Sequence, residues 1–133
     1  MREVFVPGKP APQGSKRHVG RGVLVESSKE VGPWRERIAL AAHSHARGLT
    51  AGPATVRLEF VMPRPQSAPK RSTPPATKRP DVDKLARACL DAITGVWIAD
   101  DSHVVDLRAT KRIALPGETS GVQITVTTYE ERQ

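Results

Sequence analysis

Residues 79–111 read RPDVDKLARACLDAITGVWIADDSHVVDLRATK, and their spacing decides the fold. Val82, Leu85, Ala86, Cys89, Leu90 and Ile93 recur at helical spacing, which predicts a helix from about Val82 to Thr94, stopped by Gly95. Asp81 follows Pro80 and is expected extended or at the cap. Asp83 falls in the first turn, Arg87 one turn further on the same face, and Asp91 near that face. His103 to Ile113 then reads as a strand, with Asp100 and Asp101 at its edge. The apolar stripe faces a core, and the polar residues converge on one exposed spot at the helix N-terminus.

Charge singles out the same stretch. All six aspartates of the chain lie between Asp81 and Asp106 with only Lys84 and Arg87 as cations, a formal −4 in a protein of +7, so the other 107 residues carry +11. An acidic focus in a basic body suits a polyanion gripped by the body and a cation held at the focus, as metal-dependent cleavage of nucleic acid requires. The sequence pI near 10.2 points to an anionic partner, a property that enzymes share with plain binders. The single Cys89 excludes an internal disulfide and a multi-cysteine zinc site, and it fits a reducing compartment. The opening MREVFVPGKP has no long apolar run, so neither a signal peptide nor a membrane span is expected, and the cytoplasm is the expected location.

Outward from the acidic stretch, the chain of 133 residues suits one domain. Arg2 to Val6 is expected as a strand and Pro7 to Gly22 as a basic loop or loose hairpin. Val23 to Glu26 follows as a second strand. Ser27 and Glu30 have capping-box spacing ahead of a helix over about 28 to 46, carried by Trp34, Ile38, Ala41, Ala42 and His45, with Pro33 near its start. Thr55 to Met62 alternates as a half-buried strand. Residues 63–80 hold six prolines and predict a long mobile loop. Gly121 to Tyr129 closes the chain as a strand. The order β-β-α-β-α-β-β predicts an α+β domain, with two helices packed on a mostly antiparallel mixed sheet.

Carboxylates gathered at one spot repel by about 4 kcal/mol per pair at ~4 Å and an effective dielectric of about 20, so something must offset them. Hard oxygen donors without paired His or Cys favour Mg²⁺, or Mn²⁺, over zinc. The competing reading makes Asp81 a helix cap and Asp100-Asp101 a turn. His103 is expected as a surface residue, Trp34 and Trp97 as core, and Cys89 as an inert small hydrophobe. His43 and His45, two apart on a helix, do not face each other. Two basic segments stand ready for phosphates: Lys9, Lys16, Arg17 and Arg21 in one, and Lys70, Arg71, Lys78 and Arg79 in the other. No aromatic residues interleave them, which argues against single-strand stacking.

The stretch Arg79 to Lys111 resembles the RusA family of Holliday junction resolvases of bacteria and their phages. The family pattern, P-D-x-D-N-L-x-K-x-x-x-D-A-L-x-G followed by D-D-x-Q-V and a later basic residue, is matched by Pro80, Asp81, Asp83, Leu85, Asp91, Ala92, Gly95, Asp100, Asp101, Val104 and Lys111. The resemblance implies a homodimeric, Mg²⁺-dependent endonuclease that nicks four-way DNA junctions symmetrically, with Asp81, Asp83 and Asp101 as its essential carboxylates. Its helix lysine falls on Arg87. Asp91 also matches, with a structural role as open as a catalytic one. The chain departs from the pattern at Lys84, Arg87, Ile93 and His103. Arginine stays protonated, so Arg87 acts by charge and not as a base, with Lys84 and Lys111 as further cations at the phosphate. A non-catalytic DNA-binding protein of this fold, and a nuclease for other branched DNA, remain the alternatives.

Overall fold

The computed structural model describes residues 1–14, 16–18, 24–26 and 29–132, with the backbone alone for 16–18, 24–26, 131 and 132. The strands are β1 (Arg2–Pro7), β2 (Lys16–His18), β3 (Leu24–Glu26), β4 (Ala54–Met62), β5 (Val104–Ile113) and β6 (Gly121–Thr128). The helices are α1 (Val31–His45), α2 (Val82–Ile93) and a short terminal α3 (Tyr129–Arg132).

A four-stranded sheet has the order β1-β6-β4-β5, and β2 and β3 form a separate hairpin. β1 and β4 both run antiparallel to β6, whereas β4 and β5 are parallel. A parallel pair needs a crossover, and α2 supplies it. The α+β architecture expected from the sequence is therefore the one observed, with a mostly antiparallel mixed sheet.

Register explains the core. Val56 faces Val126, Leu58 faces Ile124 and Phe60 faces Val122, while Val6 adjoins Val122 from the other side. All are buried. Over this face α1 lays Val31, Trp34, Ile38 and Ala42, and α2 lays Leu85, Cys89 and Ile93. The buried side of α2 is wider than the apolar stripe, because Ala88 and Ala92 are also covered.

Three expectations change. β4 is not half-buried: Thr55 and Val61 are buried with the inward set, and Arg57 alone is exposed, since β4 sits in the centre between β6 and β5. α1 begins at Val31, with Glu30 as an N-cap that makes no side-chain cap bond. Ser27, the other half of the expected capping box, lies outside the described residues, as does Val23. The last strand ends at Thr128, and Tyr129 begins α3 instead. At Gly8 the backbone has φ 140°, and a Cβ there would stand 3.0 Å from the Trp34 ring, so the β1 end closes on α1 only with glycine.

Candidate active site

Three pieces of chain carry the candidate residues: the end of the 63–80 strap, the first two turns of α2, and the return after the helix, which meets α2 at Arg87. Asp81 is the N-cap residue, with extended φ −71° and ψ 142°. Its carbonyl accepts from the Leu85 N–H at 3.1 Å, yet its carboxylate makes no capping bond. A capping Asp normally accepts from the backbone amides of the first turn. Asp81 instead leaves its carboxylate exposed at the positive end of the helix. Asp83 is also exposed, and neither side chain has a hydrogen bond or ion pair among the described residues.

The return is built by a tight turn. The Gly95 N–H donates to the Ile98 carbonyl at 2.7 Å and the Trp97 N–H to Ile93 at 2.9 Å. Gly95 sits at φ 85°, which suits glycine and stops α2. Trp97 is fully buried, and its Nε1 donates to the Ala46 carbonyl at 3.1 Å, tying the turn to the end of α1.

The acidic pair that follows divides its work. Asp100 caps a 3-10 turn over Asp101–His103 by accepting from the Ser102 N–H at 2.8 Å, and this bond holds its carboxyl below the ordinary range. Asp101 instead meets Arg87, with Nη1 2.9 Å from Oδ2. The two side chains are 55% and 40% exposed, so this pair adds under about 1 kcal/mol to stability. It does bring Asp101 to the face of α2 that carries Asp83. Asp91 turns elsewhere, toward Arg35 of α1 at 4.0 Å.

The strap 63–80 forms no helix or strand, but two cations hold it. Arg64 Nη1 donates to Thr73 Oγ1 at 2.9 Å and to the Ala114 carbonyl at 3.1 Å; its Nη2 donates to Ser72 at 2.6 Å and also to Pro69. Lys111 Nζ donates to the Lys78 and Pro80 carbonyls at 2.9 and 2.8 Å. Lys9 from the first basic segment and Lys78 and Arg79 from the strap line one groove of about 420 Å³ that ends at Pro80, next to Asp81. The Gln13 N–H donates to the Lys84 carbonyl at 3.0 Å, so the same segment reaches α2. Lys84 is half-buried, whereas Lys70 and Arg71 are exposed. The Lys16 and Arg17 side chains, and all of Arg21, lie outside the described residues.

The sequence reading missed the tethering roles of Arg64, Gln13 and Arg35, because each depends on a partner distant in the chain. Trp34 is buried like Trp97, and His103 is exposed. Burial pushes the Cys89 thiol far up and leaves it inert. Among the described residues no three His, Cys, Asp or Glu side chains stand close enough to hold a metal ion. In donor type Asp81, Asp83 and Asp101 fit a hard divalent cation, and among the described residues the first two have no protein partner to give up.

The family model described as endodeoxyribonuclease RusA matches residues 7–127. A protein of Bacillus subtilis (strain 168), uncharacterized protein YqaN, is 30% identical over 119 residues, spanning 80% of this chain and 83% of that protein. No helix among the described residues is long and apolar enough to cross a membrane. The chain belongs to the RusA family of endodeoxyribonucleases, which hydrolyse DNA phosphodiester bonds and resolve Holliday junctions.

Proposed function

We propose that this RusA-family chain is a Mg²⁺-dependent nuclease, with Mn²⁺ as a substitute, that resolves four-way junctions in DNA recombination and repair. It works in the bacterial cytoplasm as a homodimer making paired symmetric nicks. A substrate of two-fold symmetry that needs two matched cuts is met most simply by a symmetric dimer with two sites. The observation that carries the reading is the Asp81 carboxylate, which is not engaged in capping its own helix, together with Arg87 reaching across to Asp101.

Asp81, Asp83 and Asp101 are the ligand set, and bound Mg²⁺ supplies polarisation of the phosphodiester, an activated water and stabilisation of the leaving oxygen. Arg87 stays charged and holds a non-bridging phosphate oxygen through its planar donors. The positive end of α2 favours the same anion. Residues 1–133 act as one domain whose basic loops, about 7–22 and 63–80, grip the DNA. Lys9, Lys16, Arg17, Arg21, Lys70, Arg71, Lys78 and Arg79 contact phosphates there, and Lys84 does so from α2, so affinity falls steeply with salt.

The test uses an immobile four-way junction and a linear duplex of matched sequence, each with Mg²⁺ or EDTA, and Asp83→Asn beside the unmodified chain. Paired nicks on the junction alone, lost in EDTA and in the variant, are expected. Tight junction binding without nicks under any divalent metal would sink the catalytic reading in favour of a binding protein. Equal cutting of flapped DNA would make it a broader branched-DNA nuclease.

A further inference from the structure

Lys111 has two of its three ammonium donors engaged by backbone. It lies in register with Phe60, on the helix-covered face of the sheet, and reaches the carbonyls of Lys78 and Pro80. The Pro80 carbonyl belongs to the peptide that enters Asp81, so fixing it fixes where the Asp81 Cα stands. No side-chain cap within α2 does this job for Asp81. The other strap tether, Arg64, lands on Ala114, one residue past the end of β5. β5 itself begins at Val104, just beyond the turn that holds Asp101. Asp81 and Asp101 are thus both referenced to β5, one through Lys111 and the other through the chain.

Resting on the reading of Asp81, Asp83 and Asp101 as metal ligands, we propose that Lys111 is a positioning residue. Its hold on the Lys78 and Pro80 carbonyls sets Asp81 against Asp101, and so sets the affinity of the site for a divalent cation. It is not a DNA-phosphate contact.

The experiment compares the full chain with Lys111→Met, Lys111→Arg and Asp83→Asn. Mn²⁺ binding is followed by electron paramagnetic resonance on the protein alone, and on protein bound to a junction with phosphorothioate linkages at the crossover. Junction affinity is measured separately in EDTA across a salt series. Lys111→Met is expected to weaken Mn²⁺ binding by about 10- to 100-fold, as loss of a group supporting metal ligands does. Its junction affinity and salt slope in EDTA stay unchanged, and Lys111→Arg, which keeps reach and donors, restores Mn²⁺ binding. Unchanged Mn²⁺ affinity in Lys111→Met overturns the proposal. So does a salt slope reduced by about 1 with weaker junction binding, which assigns Lys111 to a phosphate. Should Lys111→Met fail to fold, Lys111→Gln, too short to span both carbonyls, takes its place. If Asp83→Asn and the unmodified chain bind Mn²⁺ alike, or neither binds it, the ligand reading beneath the proposal fails instead.

Discussion

Two exposed arginine–carboxylate pairs bracket β5, and they are built differently. At its end, Arg112 grips both oxygens of Glu118, at 2.7 and 2.6 Å, and the Leu115 N–H adds a third bond at 2.8 Å. These contacts, the arginine first, bring the Glu118 carboxyl from its ordinary value near 4.5 to about 2. Before its start, Arg87 touches one oxygen of Asp101 through one nitrogen. The first pair closes a turn and has its geometry filled. The second shares its helix with Asp81 and Asp83, whose carboxylates have no partner among the described residues, and it keeps donors in hand. The same two functional groups therefore serve as a clasp in one place and as an open site in the other, and the number of satisfied oxygens separates the roles.

Substitution at the open pair should cost the most. Asp101→Asn should lower junction nicking by about 10²–10³-fold, with junction binding in EDTA retained, when cleavage and gel retardation are measured side by side. Arg87→Gln should cost about 10²-fold in nicking rate. Arg87→Lys tests the geometry: if it nicks no better than Arg87→Gln, the planar fork is required as well as the charge. Full activity in Arg87→Gln would remove Arg87 from the site. Glu118→Gln, at the clasp, should leave nicking within about twofold and lower the Tm slightly.

The smallest effect is a pH dependence of that last difference. A carboxyl whose folded pKa is depressed contributes its stability above the unfolded pKa and loses it as pH falls through the folded one. The Tm gap between the unmodified chain and Glu118→Gln should hold above about 4.5, narrow below it, and vanish near pH 2. Arg112 is exposed and Glu118 half-buried at this corner, so added salt should shrink the gap as well. A gap that instead widened in acid would show that Glu118 is not held ionised by Arg112.

The elements were legible wherever periodicity carried them. The stripe of α2 is a local pattern that burial enforces, and β4 was legible as a strand; its burial on both faces was not, because that follows from its central place between β6 and the parallel β5. The acidic focus was legible as composition. Its division of labour was not, because Asp100 and Asp101 are chemically identical and only the 3-10 turn decides which one caps and which one meets Arg87. The tethering of the strap was equally hidden. Six prolines announce irregular backbone, but they say nothing of an arginine at 64 that gathers carbonyls from 69, 72 and 114. Such contacts depend on where distant segments pass, which spacing along one segment does not encode.

The burial of Trp97 beneath the turn that delivers Asp101 has a practical consequence. The chain holds two tryptophans, and both indoles sit in the core between sheet and helices. Their emission is therefore an intrinsic optical signal for loss of the helical layer. A fluorescence melt would read whether a site variant has changed its fold, independently of whether it still cuts.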